Sequence, residues 1–176
     1  MIEKDLKPET VSDTMATKRH ILEIPKRLRK SDVSILVDTR EQKPLHFRGI
    51  QARPSKLQTG DYTMTGVEKI ARIERKSLID LVSCCGHGRE RFERELERLQ
   101  AFRYRCVVME CGWVEICAGE WPGKITPEQV KQSILSWQSD VPFFLAGGRL
   151  GAAEVVENWL WHIARHVHEI LIQLRR

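Results

Sequence analysis

The chain has 176 residues, 41% of them hydrophobic and 30% charged, which allows one globular domain with a buried core. No apolar run is long enough to cross a bilayer, and residues 1–25 hold acidic and polar residues where a secretion signal would need an apolar stretch, so membrane and secreted classes are excluded and an intracellular (cytoplasmic or nucleoid-associated) protein is expected. A net charge of +5 is compatible with a polyanionic partner, and five cysteines without a C-x-x-C pair exclude a disulfide framework and a zinc ribbon.

Residues 1–31 lack sustained periodicity and read as a basic leader with a short helix near Thr17–Leu22. Lys18, Arg19, Lys26, Arg27, Arg29 and Lys30 crowd it; an arm on a phosphate backbone and a solvated tail explain them equally well. Val33–Asp38 is a short apolar run suited to a buried strand. Arg40–Pro54, with Pro44, Gly49 and Pro54, reads as a loop. Gly60–Thr65 and Lys69–Glu74 read as the second and third strands, turned by Gly66. Ser77-x-x-Asp80 has the form of a helix cap, opening a helix that Gly86–Gly88 break. Cys84, Cys85 and His87 lie there, a weak metal set because adjacent cysteines seldom face one ion. Arg89–Phe102 is a second helix, with Phe92, Leu96 and Leu99 on one stripe.

Cys106–Glu110 reads as a fourth strand, flanked by buried reduced thiols at Cys106 and Cys111, and Trp113–Gly123 as a short helix and loop. Thr126-Pro127-Glu128-Gln129 starts the next helix, with Thr as N-cap, Pro at the first position and Gln at the third. Val141–Ala146 is a fifth strand closed by Gly147-Gly148, and a last helix covers Ala152–Leu174. His162, His166 and His168 on it read as surface or packing residues, since the i, i+4 pair lacks a third ligand. The order β-β-β-α-α-β-α-β-α predicts an α/β domain, a mixed sheet with helices on its faces.

The chemistry centres on Gly60-Asp61 and Ile73-Glu74-Arg75-Lys76. Two apart on a strand, Glu74 and Lys76 project to one face, and a hairpin brings Asp61 beside Glu74. Neighbouring carboxylates repel unless a cation lies between them, and Mg²⁺ suits them as a hard ion taking one or two carboxylates with waters and phosphate oxygens. Such an ion acidifies its water and polarises a phosphate, while Lys76 could orient or deprotonate that water and neutralise developing charge. The plain alternative is a solvated strand face with an ion pair, and Glu41-Gln42-Lys43 repeats Glu-x-Lys in a loop. Asp38, at the end of the first strand, is a further candidate ligand or a turn residue, and Arg40 a candidate phosphate clamp.

Val37-Asp38-Thr39-Arg40-Glu41, Gly60-Asp61 and Ile73-Glu74-Arg75-Lys76-Ser77-Leu78-Ile79-Asp80 together resemble the XPF-type nuclease domain, whose signature is Gly-Asp, a variable gap, Glu-Arg-Lys, three residues and Asp. Gly88-Arg89, Arg91-Phe92-Glu93, Glu95-Leu96, Arg98-Leu99 and Val107–Glu110 are similar to it too, so the resemblance covers about residues 33–170. It implies a restriction-endonuclease-like three-layer fold, a central mixed sheet of about five strands flanked by helices, over residues 32–176. It implies a Mg²⁺-dependent endonuclease, with Mn²⁺ substituting, that cuts branched, flapped or recombination-intermediate DNA near duplex–single-strand junctions in repair or recombination.

By the same resemblance Asp61, Glu74 and Asp38 are metal ligands, Lys76 is the catalytic lysine, and Glu41 completes the catalytic set. The candidate substrate-contacting residues are Arg40, Arg75, Arg89 and Arg91. Asp80 matches the family's last acidic position, which its capping role also explains. The chain ends at Arg176 without the helix–hairpin–helix or helicase unit that relatives often carry, and is similar to compact bacterial and phage forms. The resemblance also implies a homodimer through the C-terminal helices. A non-cutting DNA-binding scaffold subunit is the alternative reading of the same basic chain.

Overall fold

The computed structural model describes residues 25–175; the expected helix at Thr17–Leu22, with Lys18 and Arg19, lies outside the described residues. Strands β1 (Ile35–Asp38), β2 (Ala52–Ser55), β3 (Tyr62–Met64) and β4 (Ala71–Lys76) come first, and helices α1 (Leu78–Cys84) and α2 (Arg89–Leu99) follow. Strand β5 (Tyr104–Met109), helices α3 (Trp113–Ala118) and α4 (Pro127–Trp137), strand β6 (Phe143–Leu145) and helix α5 (Arg149–Gln173) complete the chain. None of these helices is long and apolar enough to cross a membrane.

The strands form one six-stranded sheet in the order β2-β1-β3-β4-β5-β6. β3 is antiparallel to β1 and β4, whereas β1–β2, β4–β5 and β5–β6 are parallel. The fold is therefore the expected α/β sandwich of a mixed sheet between helices, with one strand more than the five read from the sequence. The extra strand, β2, falls inside the segment read as a loop. Its Ala52-Arg53-Pro54-Ser55 is almost wholly exposed and carries no buried apolar residue. An edge position tolerates Pro54, because a strand there has a side that needs no partner.

Alternation along the strands sorts the core into two halves. Ile35, Val37, Tyr62, Met64, Ala71, Ile73, Cys106 and Val108 face α5, meeting Ala152, Val156, Leu160 and Ile163. Val107, Met109 and Phe143 face the other way, against Leu81, Phe92, Leu96 and Leu99 of α1 and α2 and Ile134 and Trp137 of α4. Phe92 and Trp137 meet edge to face with centroids 5.0 Å apart, which pins α2 to α4.

The caps behave as their residue types dictate. The Ser77 hydroxyl accepts from Asp80 N–H, and Thr126 and Gln129 close a reciprocal capping box at α4. Helix α5 begins three residues earlier than its apolar pattern suggests, at Arg149 just after Gly147-Gly148. That residue is held by Glu110 and by the carbonyls of Lys43 and Pro44, which tie the helix start to the loop after β1. The described part of the leader lies against α5 as well: Lys30 pairs with Glu157 at 2.8 Å, and Pro25 O meets His168.

Candidate active site

The acids converge because β1 ends at Asp38, β3 begins just after Asp61 and β4 carries Glu74, on three adjacent strands. Register pairs Val37 with Tyr62 and Tyr62 with Ile73. One step further, Asp38 N–H donates to Asp61 O and Asp61 N–H to Ile73 O, each at 2.8 Å. The tight turn into this step needs Gly60. Its φ is +69°, and a Cβ there would lie 2.6 Å from Cγ of Arg72 and 2.9 Å from the Ile73 carbonyl oxygen. Asp38, Asp61 and Glu74 consequently line one cleft of about 190 Å³, with Arg40, Glu95 and Arg98 among its other walls.

The three carboxylates differ in how fully they are satisfied. Oδ1 of Asp38 accepts from Arg40 N–H and Nε, and Oδ2 from Leu57 N–H and Arg40 Nη2. Burial works to raise the Asp38 pKa, but these donors outweigh it and hold it below the ordinary value. Asp61 receives one hydrogen bond, from Arg75 N–H to Oδ2 at 2.7 Å, and its Oδ1 makes none among the described residues. Burial first, then the Glu74 charge, pushes its pKa up to about 7. Glu74 is also raised, chiefly by burial, against the pull of Lys76.

Lys76 stands on the same face as Glu74. Its Nζ is 2.7 Å from Glu74 Oε1 and 3.2 Å from Glu95 Oε2, and 5.0 Å from the centroid of the Phe92 ring. Burial disfavours the ammonium, yet Glu74 and Glu95 outweigh it and hold the Lys76 pKa above its usual value. The sheet thus brings Asp38, Asp61, Glu74 and Lys76 together.

The alternation that unites Glu74 and Lys76 sends Arg75 to the α5 side, with Ile73. There its guanidinium is gripped by Glu41 through Nε and Nη2, at 2.9 and 3.0 Å, and by Glu110 at 2.9 Å. Glu41 and Arg75 form a charge cluster behind the sheet rather than a lining of the cleft. Arg89 is engaged elsewhere too: it pairs with Glu93, donates to Ser133 and lies 4.9 Å from the Trp137 ring centroid, packing α2 on α4. Arg91 is exposed at 4.0 Å from Glu95, beside the cleft. Asp80 is exposed at the start of α1, where its carboxylate accepts from Ser77 Oγ.

Glu95 and Arg98, which the sequence offers only within segments similar to the nuclease family and without a role, also line the cleft. Arg91, Glu95 and Arg98 recur at helical spacing beside the buried stripe of Phe92, Leu96 and Leu99. That spacing marks a shared face but not what it meets.

The donor set fits a divalent cation of the Mg²⁺ type. Two hard carboxylates lie close enough for one to raise the other's pKa, and the cleft has room for several waters. Asp38 already spends both oxygens on Arg40 and Leu57, so Asp61 and Glu74 are the available pair. Among the described residues no group of three or more His, Cys, Asp or Glu is arranged to cage a metal, and Cys84, Cys85 and His87 form no such group. An open two-carboxylate site is what Mg²⁺ accepts, since it keeps waters and takes substrate oxygens.

Residues 29–145 match the ERCC4 domain family. Among solved structures, XPF from Aeropyrum pernix superimposes with a TM-score of 0.61 at 20% sequence identity, over 80% of this chain and 69% of that one. No curated protein matches the chain.

Proposed function

The chain belongs to the ERCC4 domain family and shares the fold of XPF from Aeropyrum pernix, and from that premise we propose that it is an XPF-type, metal-dependent endonuclease that hydrolyses phosphodiester bonds in DNA. Its substrates on this reading are branched, flapped or recombination-intermediate DNAs, cut near duplex–single-strand junctions during repair or recombination. The observation that carries the proposal is the Asp61–Glu74 pair: two under-satisfied carboxylates, Glu74 buried and Asp61 partly so, sharing a cleft with a lysine ammonium.

Asp61 and Glu74 would hold Mg²⁺, or Mn²⁺ in its place. When bound, such an ion supplies Lewis acidity to the scissile phosphate and makes a nearby water more acidic. The chain's own residues do the rest. Lys76, held as an ammonium by Glu74 and Glu95, is placed to neutralise charge growing on the phosphate rather than to accept a proton. Arg40, Arg91 and Arg98 stand at the rim with guanidinium groups suited to backbone phosphates. The excess of basic residues supports a polyanionic substrate. Ile170, Leu171 and Leu174 leave apolar surface exposed at the end of α5, which supports pairing of two copies through their C-terminal helices.

The test is cleavage of labelled flap, replication-fork, plain duplex and RNA substrates in Mg²⁺ or Mn²⁺. Flap or fork DNA should be cut in preference to the others. Glu74→Ala and Lys76→Ala should each lower the rate by about 100-fold or more. Binding without cleavage in either metal would instead identify a scaffold subunit.

A further inference from the structure

We propose that Glu95 is a positioning residue: from α2, its carboxylate anchors the Lys76 ammonium at the cleft. The catalytic consequence rests on the nuclease reading above; the anchoring itself does not.

Lys76 is the last residue of β4, and its charge sits at the end of a flexible four-carbon stem. Such a group is useful at a reacting phosphate only if something fixes it. Three neighbours do so. Glu74 Oε1 at 2.7 Å comes from the same strand. Glu95 Oε2 at 3.2 Å and the Phe92 ring at 5.0 Å come from one turn of α2. Phe92 is fully buried and locked edge-on against Trp137 and Phe143, so the turn that presents Glu95 is itself immobilised by the core.

The two carboxylates around Lys76 are not equivalent. Glu74 is one of the two acids available to a divalent ion, and a carboxylate turned toward such an ion has less of its charge left for the ammonium. Glu95 reaches Lys76 from another element of the fold. Its nearest alternative partner, Arg91, is 4.0 Å away and 70% exposed, a weak competitor for a carboxylate only 22% exposed. When Glu74 is engaged, Glu95 therefore remains as the counter-charge that keeps Lys76 in place. Its neighbour one turn on, Arg98, lines the same cleft, so α2 acts as a wall of the site and not only as a cover for the sheet.

The experiment compares the full-length wild type with Glu95→Ala and Glu95→Gln by three measurements. The first is kcat and KM on flap DNA. Glu95→Ala should lose about 10–100-fold in kcat with KM changed by less than about threefold, whereas Glu95→Gln, whose amide oxygen still accepts from an ammonium, should recover much of the loss. The second is ¹⁵N–¹H NMR of the lysine ammonium groups, with the Lys76 signal assigned by its loss in Lys76→Met. A slowly exchanging Lys76 signal should be present in the wild type, vanish in Glu95→Ala and return in Glu95→Gln. The third is Mn²⁺ affinity by calorimetry, expected to stay within about threefold of wild type in Glu95→Ala.

An unchanged Lys76 signal in Glu95→Ala would overturn the proposal. So would kcat within threefold of wild type, or a loss of kcat that Glu95→Gln does not relieve. A fall in Mn²⁺ affinity matching that of Glu74→Ala would make Glu95 a ligand and overturn the assignment. If the wild type cuts no substrate, the nuclease reading falls, and the NMR signature alone decides whether Glu95 anchors Lys76.

Discussion

The two sides of strand β4 treat buried acids in opposite ways. Behind the sheet, Glu41 and Glu110 share the guanidinium of Arg75, Arg149 adds a second cation to Glu110, and Glu157 collects Lys30 with the N–H groups of Arg48 and Gly49. Burial works to raise the pKa of Glu41 and of Glu157, yet these donors outweigh it and leave both below the ordinary value. In front, Asp61 and Glu74 are left above it. A carboxylate matched by guanidinium and amide groups is part of the architecture, and one left short of partners is available to a ligand. Asp38 sits in front but is satisfied like the acids behind, which separates it from the other two in spite of its position.

The contrast can be broken most severely from behind. Arg75→Ala takes the guanidinium from the largely enclosed Glu41 and leaves Glu110 with Arg149 alone, and the expected loss is about 3 kcal/mol in urea unfolding; a loss under about 1 kcal/mol would show the cluster to be incidental. The front should respond in the other direction. Asp61→Asn removes a charge that the site disfavours while an amide oxygen can still accept from Arg75 N–H. In EDTA, near pH 7.5, the variant should be about 1–2 kcal/mol more stable than wild type. Destabilisation of that size would mean that Asp61 is matched as well as Glu41 is.

The smallest effect concerns Glu157. Glu157→Gln should cost about 1 kcal/mol near neutral pH. Because its folded-state pKa lies below the unfolded value of 4.5, the stabilisation is complete above that value and is lost as pH falls through the folded one. Wild type and variant should therefore converge in acid. Curves that stay parallel down to the acid limit would remove Glu157 from the set of matched charges.

Much of the front was legible in the sequence, because strand alternation and a hairpin suffice to bring Asp61, Glu74 and Lys76 onto one face. The same alternation also places Arg75 on the opposite face, a signal present in Glu74-Arg75-Lys76 that grouping all charged residues into one site overlooks. Arg89 was misleading for a different reason: its charge is absorbed by Glu93 and Trp137, a partner 48 residues away that no local pattern reveals. Glu95 is of the same kind, since helical spacing shows which residues share a face but only the packing of α2 shows that this face meets Lys76. β2 escaped notice because an exposed edge strand with a proline lacks the apolar alternation by which strands are recognised.

The stitching of Asp38 N–H to Asp61 O, of Asp61 N–H to Ile73 O and of Arg75 N–H to the Asp61 carboxylate has a consequence for how the site meets its ligands. Its acids ride on backbone already committed to a ladder, so they are preorganised and need no reshaping when a ligand arrives. Adaptability is left to the long side chains of Arg91 and Arg98, whereas Arg40 is itself held by Asp38 and the Leu57 carbonyl. On the proposed reading, a rigid floor under an adjustable rim would let one centre accept DNA shapes that differ from one another only above it.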